Sequence, residues 1–316
     1  MPNAALPEDE FIRLFEQLGP TALARHIGQA VRSVANRRRS LEKQLGIEIT
    51  APPRFISEPK PSAAIRKEIT VDEGVIIVGS DPHYWPNEVS TAHLAFVHLC
   101  KKLKPAHVVL NGDVFDGARL ARFDHEWEHT PTVEEELATC VERLAEIRKA
   151  SKSAQHWWPQ GNHDARFDRR LAMSAGEMEG IVGMSLKDHF PDWNHITSLW
   201  VNDSCVIKHN WAGGIHAGFN NVLKSGKTMV TGHTHRQLVR PYTDFGGLRY
   251  GIECGTLAEP FGGHADYADD NPRDWTSGFV VLTFKKGRLF DPELVRVVER
   301  GVYQFRGEWV NVSDTR

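Results

Sequence analysis

Apolar and polar positions follow one another along residues 71–316 in an order that predicts alternating strands and amphipathic helices. Five short runs, rich in β-branched and other apolar residues, read as strands: 75–78, 107–110, 155–159, 205–208 and 228–231. Stretches with helical spacing, at 88–103 and 133–149, lie between the first three of them. This alternation predicts a layered α/β domain over residues 71–316.

The pattern before residue 71 is different. Residues 8–18, 21–27 and 31–45 have helical spacing, with Gly19-Pro20 and Gly28 at the two breaks. Residues 48–70 contain several prolines and few large apolar side chains, which indicates a linker. We therefore predict a small all-α module of three helices over residues 1–47, a Pro-rich linker over 48–70, and the α/β domain after it. The third helix is expected to bury Val31, Val34 and Leu41.

Charge is distributed unevenly between these parts. The whole chain has a formal net charge of −3, but residues 21–45 carry six arginines and lysines against one acidic residue, Glu42. The spacing of Ala24, Gly28 and Val34 resembles the helix-turn-helix pattern of DNA-binding domains, whose second helix enters the major groove. An oligomerisation or docking module is the alternative. The candidate nucleic-acid contacts on the third helix are Arg32, Asn36, Arg37 and Arg38.

Composition places the chain among ordinary globular proteins, with 41% hydrophobic and 25% charged residues. The four cysteines are far apart and form no Cys-x-x-Cys pair, which favours reduced thiols and a cytoplasmic location. The first residues have no basic and apolar signal-peptide pattern, and no apolar run has the length of a membrane span. We expect no membrane partner.

Histidine, aspartate or asparagine follows each of the five predicted strands. Because ligands bind at the carboxyl ends of strands in α/β sheets, these side chains are expected to share one cleft. A single such residue is ordinarily a turn former or a helix cap, but five clusters in one domain favour a site. Their donors are oxygen and nitrogen atoms without a thiolate, which suits Mn²⁺, Fe, Zn²⁺ or Ni²⁺.

The clusters read Asp81-x-His83, Gly112-Asp113-x-x-Asp116, Gly161-Asn162-His163-Asp164, His209 and Gly232-His233-Thr234-His235. In this order, they resemble the five motifs of the calcineurin-like metallophosphoesterase superfamily. The resemblance covers residues 75–260 and implies a four-layer αββα sandwich of two mixed sheets. By motif position, it implies one divalent cation held by Asp81, His83, Asp113 and His235. A second cation would be held by Asn162, His209 and His233, with Asp113 bridging the two.

Phosphate-ester hydrolysis at neutral pH needs a strong nucleophile, charge neutralisation and a proton for the leaving alkoxide. Two cations about 3.5–4 Å apart supply the first two, by deprotonating a water and clamping the phosphoryl oxygens. The resemblance implies that His163 is the general acid, and we expect Asp164 to orient it and keep it protonated. Asp116 is expected behind the ligands, bonded to a ligating histidine. Manganese is the metal expected to support activity.

Two positions depart from the commonest form of these motifs. Gly117 follows Asp116, where Asn or Arg is frequent, so one familiar contact is missing. His209 is followed by Asn210-Trp211 instead of glycine, which leaves His216 as an alternative ligand.

These patterns together predict a dinuclear-metal phosphoesterase that uses metal-activated hydroxide. The basic module favours a phosphodiesterase or nuclease acting on nucleic acid, with Arg166 as a further backbone contact. The alternative is a phosphomonoesterase, or a phosphatase of nucleotides or phosphoproteins, whose helical module serves docking or a homo-oligomer. A non-catalytic DNA-binding regulator is less favoured, because neither a ligand nor the acid is missing from the motifs.

Overall fold

The computed structural model describes residues 6–51, 65–121, 130–268 and 273–312. The chain divides into two compact units, Met1–Ala63 and Ala64–Arg316. The proline-rich part of the expected linker, residues 52–64, lies outside the described residues. Strand β1 (Arg66–Ile69) already belongs to the larger unit, so the sheet structure begins before residue 71.

The first unit contains helices α1 (Glu8–His26) and α2 (Val31–Leu45). Gly19 interrupts α1 with φ 73° and ψ 171°, directly before Pro20, so the predicted three helical stretches are confirmed. Their buried apolar faces meet in a core of Phe11, Phe15, Leu23, Ala24, Val34, Leu41 and Ile49. Val31 was expected in this core, but it is 46% exposed because it lies in the first turn of α2, at the edge of the packed face.

Two mixed sheets form the larger unit, which confirms the predicted fold class. After β1, the strands are β2 (Gly74–Gly79), β3 (His107–Leu110), β4 (Gln155–Pro159), β5 (Asn194–Ile196), β6 (Ser198–Val201), β7 (Cys205–Ile207), β8 (Thr228–Thr231), β9 (Gln237–Asp244), β10 (Gly247–Cys254), β11 (Gly278–Lys285), β12 (Arg288–Leu289), β13 (Glu293–Glu299), β14 (Val302–Phe305) and β15 (Glu308–Asn311). The first sheet has six strands in the order β1-β6-β7-β8-β10-β9, and the second has nine in the order β15-β14-β13-β11-β2-β3-β4-β5, with β12 paired to β11. The helices are α3 (Thr91–Leu103), α4 (Val133–Ala150), α5 (Ala165–Ser174) and α6 (Ala217–Ser225).

Strand β2, in the middle of the nine-stranded sheet, is buried on both faces. Successive side chains point to opposite faces, so Ile77 packs with α3 and α4 while Ile76 and Val78 pack against the other sheet. All three are fully buried, and each burial of this kind stabilises the fold by about 1.5–3 kcal/mol. This continuous apolar run is why the sequence pattern predicts the strand correctly.

Helix α6 covers the outer face of the six-stranded sheet. Ile252 of β10 packs between the sheets, and its neighbour Gly251 therefore faces α6. A Cβ atom on Gly251 would lie 1.9 Å from the backbone oxygen of Gly218, so only glycine permits this approach of helix and strand. The order of layers is helix, sheet, sheet, helix.

The four cysteines are buried free thiols, with none in a disulfide. Among the described residues, no helix is both long enough and apolar enough to cross a membrane.

Candidate metal centre and active site

The five polar clusters meet because the strands that carry them end at a common edge. Strands β2, β3 and β4 run parallel in one sheet, and β7 and β8 run parallel in the other. Backbone hydrogen bonds join the loops that follow them: His83 N–H donates to Asp113 O at 3.0 Å, and Gly232 N–H donates to His209 O at 2.8 Å. Between the sheets, the Asn111 side-chain amide donates to Lys208 O at 3.2 Å, and the His233 N–H donates to the Asp81 carboxylate at 2.9 Å. Loops from both sheets therefore form one cleft.

The backbone of this cleft is unusual. Eleven described non-glycine residues have a positive φ, and five of them belong to the predicted ligand set. L-residues rarely adopt this conformation, which costs about 1–3 kcal/mol each and is concentrated at functional sites. Hydrogen bonds and packing of the loops must therefore hold these residues in place. The five are Asp81 (51°), His83 (39°), Asp113 (52°), His233 (68°) and His235 (57°).

Asp81, His83 and His235 form the first group that could hold a cation, with ligand atoms all within 4.8 Å of one another. The Nε2 atoms of the two histidines face each other at 3.3 Å, and His235 Nε2 lies 3.3 Å from Asp81 Oδ1. The Nδ1 atom of His83 donates to Asp116 Oδ1 at 2.7 Å, which leaves its Nε2 as a lone-pair donor toward the group. The Asp81 carboxylate accepts the backbone N–H of His233 at 2.9 Å.

A second group consists of Asp113, His209 and His233. His209 Nδ1 donates to Asn111 O at 2.7 Å, so its Nε2 is free to face Asp113 Oδ2 at 3.1 Å. Asn162 Oδ1 lies 3.2 Å from the same Nε2 atom. Asp113 appears in this group and not in the first, and its other oxygen accepts the His163 N–H at 2.8 Å.

In both groups, histidine nitrogens and carboxylate oxygens that carry lone pairs face one another. Only a proton or a cation between these atoms can stabilise the arrangement. Burial disfavours a charged His209, but the Asp113 and Asp81 carboxylates outweigh it and raise the pKa of His209 to about 10. Burial likewise opposes ionisation of Asp113, yet the His209 imidazole lowers the pKa of that carboxyl. The oxygen and nitrogen donors present therefore fit divalent cations.

His163 lies at the rim of these groups, between Asp116 and Arg166. Its Nδ1 contacts Asp116 Oδ1 at 2.9 Å, and a nitrogen of the Arg166 guanidinium lies 3.1 Å from its Nε2. Burial favours the neutral ring, but Asp116 and Asp113 outweigh burial, so the pKa of His163 is raised above its ordinary value. The Asp116 carboxylate thus contacts two histidines, His83 and His163.

Asp164 does not contact the His163 ring, contrary to the role that its place in the sequence suggests. Its buried carboxylate accepts four backbone N–H groups and one indole N–H, at 2.8–3.1 Å, and so ties two loops together. The reason is directional: Asp164 and His163 lie where α5 begins, and successive residues there point about 100° apart. Asp116 makes the contact expected of Asp164. The donors to Asp164 are Asp113, Val114, Phe115, Gly161 and Trp158.

We expect Asp164→Asn to lower the free energy of unfolding by about 3 kcal/mol or more. The amide NH₂ group faces N–H donors, and buried donors left without an acceptor cost about 1–3 kcal/mol each. Urea unfolding of the purified variant measures the change. The matched control is Asp168→Asn on the same helix, where the carboxylate accepts one backbone N–H, from Leu186, at 3.1 Å. Equal stability of the two variants contradicts this account of Asp164.

Two residues outside the predicted set of site residues support the site from behind. Glu136 is fully buried on α4 and accepts the backbone N–H groups of Gly117 and Ala118 at 2.7 and 3.1 Å. His264 stacks on His83, with ring centroids 5.2 Å apart and an interplanar angle of 14°. Glu136 could have been noticed, because an acid one turn before Cys140 lies on the inward face of α4.

The predicted nucleic-acid contacts have different environments. Arg32 and Asn36 are exposed on α2. Arg37 and Arg38 are half-buried, with their guanidinium groups 4.6 and 5.8 Å from the ring centroids of Phe11 and Phe15. Arg166 contacts His163 instead of extending from the surface.

The alternative ligand His216 lies at the amino end of α6, where it is exposed and belongs to none of the described groups of ligating side chains. His209 is buried and belongs to the second group.

No family model matches the chain. The Gene 54 protein of Mycobacterium phage L5 is 25% identical over 219 residues, which cover 62% of this chain and 83% of that protein. The Gene 54 protein of Mycobacterium phage D29 is 29% identical over 161 residues, covering 44% of this chain and 60% of that protein.

Two solved structures are similar to this chain, with low TM-scores. Vps29 from Entamoeba histolytica, crystallised with Zn²⁺, has a TM-score of 0.39 at 15% identity, with 76% of this chain and 99% of Vps29 covered. Yfce, a phosphoesterase from E. coli, has a TM-score of 0.33 at 16% identity, with 69% of this chain and 97% of Yfce covered.

The fold and the site together define a class: a two-sheet α/β protein with a histidine and carboxylate centre at the carboxyl ends of its strands. In the order of its motifs and in this layering, the chain is similar to the calcineurin-like metallophosphoesterases.

Proposed function

We propose that the sheet unit is a dinuclear-metal phosphoesterase. The observation that carries the proposal is the meeting of two ligand groups beside His163, whose Nδ1 is held by the Asp116 carboxylate. Cation ligands and a proton donor at one cleft are the parts that phosphate-ester hydrolysis requires.

Asp81, His83 and His235 would hold one cation, while Asn162, His209 and His233 would hold the other, with Asp113 shared. Such cations supply water activation and charge neutralisation when bound. Asp116 fixes the ring planes of His83 and His163 through its Oδ1 contacts. His163 would then carry the proton that the leaving oxygen takes.

A metal-supplemented assay of the full-length protein tests this function. It compares phosphate monoesters, phosphate diesters, single-stranded DNA and double-stranded DNA, each with Mn²⁺, Zn²⁺, Ni²⁺ or Fe²⁺. We expect ester hydrolysis that depends on added metal and is greatest with Mn²⁺. Hydrolysis of none of these substrates with any of the metals contradicts the proposal.

For the substrate, we propose nucleic acid, with the helical unit as a helix-turn-helix-like DNA-binding module. Support comes from a basic stripe on α2, defined as Arg32, Asn36, Arg39 and Lys43, which are exposed and spaced so that they lie along one helix face. Gly28 turns the chain between α1 and α2 with φ 66°. A helix with exposed cations and an amide along one face suits contact with phosphates and base edges.

We expect the triple change Arg32→Ala, Arg39→Ala and Lys43→Ala to weaken DNA binding by the full-length protein. Each lost phosphate contact removes about one unit from the salt dependence of log K, so the slope falls by about 3. Fluorescence anisotropy with labelled duplex at several salt concentrations measures both quantities.

The control triple carries the same charge change on the other unit: Lys101→Ala, Lys102→Ala and Lys152→Ala, all at exposed positions. If the two triple variants have the same DNA affinity and salt dependence, α2 is not a DNA-binding helix. The alternative of a phosphomonoesterase or a nucleotide or phosphoprotein phosphatase then takes its place, with the helical unit used for docking or oligomerisation.

A further inference from the structure

Gly117 leaves a space beside the active-site cleft that the Arg166 side chain fills. A Cβ atom on Gly117 would lie 3.4 Å from Cβ and Cδ of Arg166 and 2.9 Å from the ring of Phe115. The backbone of Gly117 has φ 65°, a conformation that favours glycine. The Arg166 chain therefore runs over the point where a side chain at position 117 would begin.

The guanidinium of Arg166 is held at one nitrogen and faces the cleft with the other. One terminal nitrogen donates to the backbone oxygen of Asp116 at 3.0 Å. The second lies 3.1 Å from His163 Nε2, the ring atom opposite the Asp116 contact. The side chain is 23% exposed, so a small anion entering the cleft can reach the group.

This placement differs from an ordinary surface arginine. Arg169 and Arg170 lie on the same helix and are exposed. Arg166 is three residues after His163, which puts both on one face at the start of α5, and a hydrogen bond from Arg166 N to His163 O closes that turn at 2.8 Å. The two side chains therefore enter the cleft together.

We propose that the Arg166 guanidinium binds a non-bridging oxygen of the scissile phosphate, next to the leaving group that His163 would protonate. The inference rests on the proposed phosphoesterase function, and it names a substrate-binding residue beyond the ligands and the acid. A guanidinium presents two parallel N–H donors and suits phosphate, so one nitrogen can remain on Asp116 O while the other turns from His163 to the phosphoryl oxygen. A lysine ammonium is a point charge and cannot reproduce this fork.

The test measures binding of inorganic phosphate to the Mn²⁺-loaded full-length protein by calorimetry, which requires no turnover. We expect Arg166→Ala to raise the phosphate Kd roughly 10- to 100-fold, the range for loss of one hydrogen bond to a charged group. Arg166→Lys should recover only part of that loss. Arg170→Ala, which removes the same charge from an exposed position of α5, should bind phosphate as the wild type does.

A purely structural role for Arg166 predicts different results. Arg166→Gln keeps the aliphatic stem and a neutral N–H donor, so a residue needed only for packing and hydrogen bonding would be rescued by glutamine, whereas a phosphate-binding guanidinium would not. Millimolar guanidinium chloride should restore part of the phosphate affinity and diester hydrolysis of Arg166→Ala, and should do nothing to Arg170→Ala. Metal content and thermal unfolding are measured on every variant.

The outcomes separate this inference from the function on which it rests. Four results each overturn the role of Arg166. They are unchanged phosphate affinity in Arg166→Ala, full recovery of phosphate affinity in Arg166→Gln, loss of bound metal in Arg166→Ala, and no phosphate binding by the wild type. If phosphate binding depends on Arg166 but the wild type hydrolyses no ester, the anion site stands and the proposed phosphoesterase function fails.

Discussion

Replacing Asp113 by asparagine is expected to lower the proposed phosphoesterase turnover by about 10³-fold or more, since the two proposed cations would contribute several kcal/mol to stabilising the transition state. Asparagine has nearly the same shape and can still accept the His163 N–H that Asp113 Oδ1 accepts at 2.8 Å. It lacks the negative charge that faces His209 Nε2 at 3.1 Å. A site built around that charge therefore loses cation affinity while its loops stay in place.

Metal content after dialysis and hydrolysis of bis-p-nitrophenyl phosphate measure the two effects, and urea unfolding shows that the variant is folded. Asp72→Asn makes the same change at an exposed position and should behave as the wild type does. Normal hydrolysis by a folded Asp113→Asn variant would remove Asp113 from the centre.

The strands that carry the site could be predicted closely from sequence. The run at 75–78 became β2 (Gly74–Gly79), and the runs at 107–110 and 228–231 became β3 and β8 without change. The middle of each run is apolar and buried because both of its faces are covered. Such runs, bounded by polar turns, have few alternative structures.

The contacts inside the cleft were less predictable, because they join residues distant in sequence. Asp116 and His163 are 47 positions apart, and their contact depends on the order of β3 and β4 in the sheet. Because Asp164 is next to His163 in sequence, it was predicted to contact the His163 ring. Its carboxylate instead accepts N–H groups from the loops after β3 and β4. Sequence identifies which strand ends are polar, whereas the pairing of side chains across them depends on the backbone path.

The count of basic residues also predicted less than it suggested. Six basic residues in residues 21–45 predicted a nucleic-acid surface, yet Arg37 and Arg38 pack over aromatic rings of the helical unit. Long arginine side chains can cover apolar surface while their charge stays near water, so the sequence count exceeds the number of cations available to a partner. The basic stripe on α2 is therefore smaller than the count implied.

Replacing His163 by alanine is expected to separate chemistry from metal binding. His163 belongs to neither of the two groups assigned to the cations, and His83 keeps its own contact with Asp116 at 2.7 Å, so both cations should still bind. The variant lacks the imidazole that would protonate the leaving oxygen. Loss of a general acid costs typically 10²–10⁴-fold, and we expect this loss with alkyl phosphodiesters, whose alkoxide leaves only with a proton.

With p-nitrophenyl esters the loss should be small, because p-nitrophenolate leaves without protonation. The measured quantity is therefore the ratio of kcat for alkyl and p-nitrophenyl diesters in each variant. His216→Ala removes an exposed imidazole and should leave that ratio unchanged, which also tests the alternative ligand. An equal loss with both leaving groups would assign His163 to substrate or metal positioning. Asp116 contacts Nδ1 of His163, so Nε2 is the ring atom on the cleft side and the one that would give its proton to the leaving oxygen. A loss that depends steeply on the leaving group is expected only if the proton comes from this ring.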